Sequence, residues 1–216
     1  VVVTDDKGGT AEQTVSVTVN GTYDAPVVTG PVTGDVTEGD APLSLDALAN
    51  ASDADDGTIL SVVNVPAKLP AGVTYDEGTH SFTLDPSNAA YQSLAAGETA
   101  TVTVNYGVSD GTSTIPDSVV WTVTGTNDAP VVAGTVTGTA TEDGTSSTLN
   151  ALVNASDVDN GATLSVVDVP AILPAGITYD AATHSFSIDP ANAAFHSSRL
   201  AHHRGFCAIT PPLQSG

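Results

Sequence analysis

The sequence predicts an all-β fold made of tandem antiparallel β-sandwich repeats of about 104 residues. Two observations carry that prediction. Residues 23–93 align without a gap to residues 127–197, at an offset of 104, and 44 of those 71 positions are identical. Self-similarity at a fixed offset means like units in series rather than one large domain. Within the unit, apolar residues recur at every second position. Val102, Val104, Tyr106 and Val108 alternate with Thr101, Thr103 and Asn105, and Val119, Trp121 and Val123 alternate with Val120, Thr122 and Thr124. Side chains on a strand point alternately to its two faces, so this spacing builds strands with one buried and one solvated face. Short strands of this kind, separated by glycine and proline turns, predict about seven strands per repeat.

Taken in chain order, VSVTVNGTYDAP (15–26) matches VVWTVTGTNDAP (119–130), so residues 1–22 read as the C-terminal strands of a preceding repeat. Residues 23–126 form a complete repeat. In it SVVNV (61–65) and HSFTL (80–84) are strands separated by the turn-forming LPAG (69–72), and PSNAAYQSLAAGE (86–98) is the one stretch expected to hold a helical turn. Residues 127–197 are a truncated second repeat, which lacks its final strands and is expected to be unstable alone, with edges open to strand addition. Residues 198–216 no longer match. They carry Arg199, Arg204 and Cys207, which reads as a shifted reading frame or a cloning scar. With no methionine anywhere, the chain is expected to be a segment of something longer.

Composition bounds the function. The 25 acidic and 4 basic residues give a net charge of −21. That balance opposes nucleic acid and anionic membranes, both of which reward Lys and Arg, and favours cations. No apolar run approaches the roughly 18 residues of a membrane span. The single cysteine excludes an internal disulfide, so a weakly cored extracellular domain would need a metal instead.

The acids are not scattered. Three features recur with the repeat: the linkers TYDAP (22–26) and TNDAP (126–130), the lone Glu38 and Glu142, and the runs SDADDG (52–57) and SDVDNG (156–161). Aspartates at i and i+2 ahead of a glycine crowd carboxylates on one side of a loop, where they repel unless a hard cation joins them. Ca²⁺ takes six to eight oxygens in flexible geometry, which loops supply; Mg²⁺ is stricter.

DAPVV, SDxDxG, LPAGxTYD, HSFxxDPxNAA, LAAGETATVTVNYGVSDG and the closing VTGTNDAP resemble VCBS repeats, the cadherin-like modules of large bacterial RTX-type surface adhesins exported by type I secretion. The resemblance spans residues 1–197 and implies an Ig-like, cadherin-like sandwich with Ca²⁺ at the junctions between repeats. Carried over position by position, it implies that Asp110, Asn127, Asp128, Glu142, Asp157 and Asp159 serve the junction before the second repeat. Asp24, Glu38, Asp53 and Asp55, with Asp5 or Asp6, would serve the one before the first, where Tyr23 replaces the linker asparagine.

No nucleophile elbow, zinc helix or phosphate loop is present, so the chain is not expected to be an enzyme. His80 and His184 recur at one repeat position and read as strand residues alternating with Phe82 and Phe186. The expected role is a calcium-dependent structural and adhesive segment, secreted or on the bacterial cell surface, acting in cell adhesion and biofilm formation. Its expected partners are neighbouring repeats, other cells, surfaces or matrix polysaccharide. The alternative is a carbohydrate- or ligand-binding accessory module of a secreted multidomain enzyme.

Overall fold

The structure, a computed structural model, describes residues 1–196. The expected tail, 198–216, and the last residue of the truncated repeat lie outside the described residues. Every regular element described is a strand, so the chain is all-β as predicted. By internal contacts it divides into two compact units, residues 1–34, 43–84 and 102–121 in one and residues 35–42, 85–101 and 122 onward in the other.

Residues 1–22 contain a hairpin of β1 (Val2–Thr4) and β2 (Thr10–Glu12). The Asp5 carboxylate accepts the amides of Lys7 and Gly9 (3.0 and 2.7 Å) and closes its turn. Residues 15–20, which match 119–124 at the end of the complete repeat's last strand, are not in a strand, and Val15, Val17 and Val19 are exposed. An alternating segment gains little by extending unless another sheet covers its apolar face.

The complete repeat holds β3 (Val27–Val28), β4 (Val32–Thr37), β5 (Leu43–Asp46), β6 (Ala51–Ser52), β7 (Ser61–Val63), β8 (Val73–Asp76), β9 (Ser81–Leu84), β10 (Thr99–Ser109) and β11 (Thr114–Thr124). This exceeds the seven expected because two of the strands are two-residue pieces; β3 is parted from β4 by Gly30, at φ 142°, and Pro31. The sheets are β4-β11-β10-β7, β5-β9-β8 and β3-β6. The Glu38 amide bonds the Thr124 carbonyl at 2.9 Å, so the end of β4 meets the end of β11 and the two run in the same direction. This pair departs from the antiparallel expectation.

The alternation read from sequence is the core. Val104, Val108, Val119, Trp121 and Val123 are buried on the face of β10 and β11, and Phe82 and Leu84 are buried from β9. Phe82 bridges the layers, 4.6 Å from Tyr75 and 5.4 Å from Tyr106 between ring centroids. The Tyr106 hydroxyl reaches both the Ala47 carbonyl (2.6 Å) and the Asp117 carboxylate (2.9 Å). Burial first, and the Asp117 bond second, keep that phenol protonated far above its usual range.

Two expectations fail locally. Residues 86–98 hold no helical turn but a chain of tight turns, with Tyr91 N–H to Asn88 O and Leu94 N–H to Tyr91 O, both 3.0 Å. Asp85 and Asn88 side chains take amides two residues on, at 2.9 and 3.1 Å, and so compete with helix. His80 and His184 are not strand residues. They sit at φ 51° and 50° in the turns just before β9 and its counterpart, a left-handed conformation that histidine tolerates better than most residues.

The second repeat holds β12 (Val131–Val132), β13 (Ser147–Asn150), β14 (Ala155–Ser156), β15 (Ile177–Asp180) and β16 (Ser185–Ile188), in sheets β12-β14 and β13-β16-β15. These copy β3-β6 and β5-β9-β8. Nothing among the described residues copies the four-stranded sheet. Ser165, Val166 and Val167 repeat the SVV of β7, yet they form no strand and Val167 is exposed. Strand β7 pairs with β10, and the second repeat has no described counterpart of β10 for this segment to pair with.

Candidate metal centres at the two linkers

At the first linker the chain turns back on its own acidic run. The Asp24 amide donates to Asp55 Oδ2 at 3.0 Å, and the Asp55 amide donates to Asp53 Oδ1 at 2.8 Å. These bonds fix the three aspartates in one loop cluster. They leave Asp53 Oδ2 buried and accepting no hydrogen bond. The Tyr23 hydroxyl donates to Asp110 Oδ2 at 2.7 Å, and Asp110 Oδ1 accepts the amides of Thr112 and Ser113 at 2.7 Å each. Those bonds, the Ser113 amide foremost, hold the Asp110 carboxyl below the usual carboxylate range despite some desolvation.

The second linker repeats the network. The Asp128 amide donates to Asp159 Oδ2 and the Asp159 amide to Asp157 Oδ1, both at 2.9 Å. Asp128 Oδ2 and Asp159 Oδ1 are buried without a hydrogen bond. Glu38 joins this set. It is 6% exposed, its Oε2 accepts the Thr126 amide at 3.1 Å, and its Oε1 is buried without a bond. Asn127 is exposed and donates from Nδ2 to the Asp128 carbonyl at 2.7 Å.

The structure therefore exchanges two expected assignments. Glu38 belongs to the second linker because β4 runs alongside β11, which places the end of β4 where the chain leaves the repeat. Asp110 belongs to the first because the turn between β10 and β11 lies at the opposite end of those 11-residue strands, against Tyr23. Glu142 is not brought to the second linker. It lies beside Asp143 and His196, the His196 imidazole being 3.8 Å from Glu142 and 3.4 Å from Asp143. Among the described residues only that exposed trio brings three ligand-type side chains within 4.8 Å of one another. Asp5 serves its own turn. Sequence reasoning overlooked the Tyr23 phenol as a donor; it also overlooked Asn160, whose amide donates to the Ser93 carbonyl at 2.9 Å and whose Nδ2 donates to Glu98 Oε2 at 3.0 Å.

A carboxylate oxygen buried without a donor costs about 1–3 kcal/mol, and more when charged. Glu38, Asp53, Asp128 and Asp159 each carry one. A cation relieves that cost, and the donor sets fit a hard one: every ligand atom they offer is oxygen, with no thiolate or imidazole to select zinc.

No curated protein matches the chain. Among solved structures it is similar to three domains from a protocadherin gamma C5, at 16% identity over 76% of this chain and 57% of that one, TM-score 0.38. It is also similar to the titin domains z1z2 in complex with telethonin, at 13% identity over 80% and 84%, TM-score 0.30. A third is a SusE-like surface located polysaccharide binding protein from the heparin utilisation locus of Bacteroides thetaiotaomicron, at 12% identity over 57% of this chain and TM-score 0.30. The chain spans 22% of the length of that last protein, and at such scores none of these likenesses decides fold or function. The match that bears on identity is one of sequence: residues 22–124, from the first linker to the last residue of β11, match the family model of the cadherin-like domain.

Proposed function

We propose that the chain is a calcium-stiffened, non-catalytic repeat segment of a secreted or surface-attached bacterial adhesin. The observation that supports it most is the recurrence, at both linkers, of buried carboxylate oxygens that no protein donor satisfies. Asp24, Asp53, Asp55 and Asp110 would hold the ion at the first linker, and Glu38, Asn127, Asp128, Asp157 and Asp159 the ion at the second. Metal-free, these acids repel one another and loosen the linker. An ion neutralises them and ties the linker to the loop of the following repeat. The cadherin-like match over residues 22–124 and the likeness to repeats of type I secreted adhesins support the extracellular setting. Neighbouring repeats are the first partners, and cell or matrix surfaces the outer ones.

Extracellular calcium sites bind at roughly 10⁻⁴ to 10⁻³ M. At about ten times that dissociation constant each site stabilises the folded state by about 1.4 kcal/mol. Scanning calorimetry should therefore show a melting temperature several degrees higher in millimolar calcium than in EDTA. Identical melting in the two buffers overturns the proposal. No specific observation favours the carbohydrate-binding alternative: Trp121 and Phe82 are internal, and Tyr75 stacks on Phe82.

A further inference from the structure

The two linkers share their carboxylate network, but their acidic runs differ in the residue that follows the second aspartate. Asn160 follows Asp159 in the second acidic run; the residue 104 positions earlier is Asp56. Asn160 makes two bonds to the preceding repeat, both within one compact unit: its backbone amide to Ser93 O at 2.9 Å and its carboxamide to Glu98 Oε2 at 3.0 Å. The receiving segment is itself held in place. Glu98 Oε2 also accepts the Ala95 amide at 3.1 Å. Gly97 N–H bonds Gly125 O at 3.0 Å, and Gly125 N–H bonds Glu98 O at 2.8 Å. A Cβ at Gly125 would collide with the Leu94 carbonyl, so this close approach needs glycine.

We propose that Asn160 is a metal-independent latch that docks the second repeat's acidic loop onto the 93–98 segment of the first, so that successive linkers of the array are not equivalent. The chemistry turns on one amide. A carboxamide gives a charged acceptor a donor, making a charge-assisted hydrogen bond. An aspartate there has no donor and would set a second negative charge against Glu98. A linker whose run reads DADD, as at residues 53–56, lacks this carboxamide donor toward the repeat before it. One that reads DVDN, as at 157–160, is partly closed before any ion binds. The latch involves none of the residues assigned to the ion, so it stands whether or not the calcium reading does.

The test is amide hydrogen exchange on the 216-residue chain in EDTA, read as the protection factor at position 160. The intact chain should show protection there, and Asn160→Asp should lower it about tenfold. Glu98→Gln, which keeps an acceptor oxygen, should retain most of the protection, and Glu98→Ala should lose it. Unchanged circular dichroism in the variants would exclude misfolding, as expected for a substitution that copies Asp56. Exchange at position 160 at the free-chain rate in EDTA, or equal protection in the parent chain and in the Asn160→Asp variant, would overturn the latch. Calcium added afterwards reads the other proposal separately, through protection at Asp128 and Asp159.

Discussion

Asp159 shows how one side chain can help and harm the fold at once. Its Oδ2 accepts the Asp128 amide and so shapes the linker, while its Oδ1 is buried with nothing donated to it. Asp159→Asn keeps an oxygen for the amide and replaces the unsatisfied, charged one with a neutral group. In EDTA the variant should be more stable by about 1 kcal/mol, since it removes an uncompensated buried charge. In millimolar calcium it should be less stable than the parent by a similar amount, because a ligand is gone and the ion's contribution goes with it. Chemical denaturation in the two buffers measures both, and a variant destabilised equally in each would mean that the carboxylate is purely structural. The acidic residues themselves were legible in the sequence, because they recur at one offset. Their grouping was not. Glu38 lies 14 residues from Asp24 in sequence, yet it bonds Thr126, 88 residues away. Only the pairing of β4 with β11 makes it so.

Strands carry the same lesson in a different form. The alternation over residues 102–108 and 119–123 was readable because both segments are long, and each gains a buried face wherever they pair. Ser61, Val62 and Val63 could not be told from Ser165, Val166 and Val167, since the sequence is the same; one is β7 and the other is irregular. Strand formation there is a property of the partner, as expected when β-propensity reflects packing more than intrinsic backbone preference. Joining a second copy of residues 92–126 after Phe195 should therefore convert residues 136–141 and 165–167 into strands. Amide protection at Val166 and Val167 should rise at least tenfold, and the second repeat should melt cooperatively. Continued free exchange at those two amides in the extended chain would show that the repeat fails for another reason, such as the replacement of Asp35 and Val36 by Thr139 and Ala140. The expected helical turn at 86–98 failed for a reason also visible only in three dimensions: Asp85 and Asn88 satisfy the backbone locally, and the segment's end is tied to Gly125.

For the molecule as a whole, the net charge of −21 sets its response to its surroundings. Metal-free, such a chain repels itself, and salt screens that repulsion: the Debye length falls from about 30 Å at 0.01 M to about 8 Å at 0.15 M. Its melting temperature in EDTA should accordingly climb by a few degrees as sodium chloride rises over that range. A millimolar addition of calcium should then raise it further, although it adds little ionic strength. If matching sodium chloride for ionic strength reproduces the calcium effect, the acids act as a diffuse cloud rather than as sites. The direction of β4 bears on a different property. The chain comes into the complete repeat through the two-residue β3, runs on into β4 and leaves after β11, and β4 and β11 lie side by side pointing the same way. A pull on the two ends of the repeat slides one strand along the other and strains the hydrogen bonds between them together, in shear, instead of peeling them apart one by one. A repeat with its chain ends tied in that fashion resists tension better than its modest core suggests.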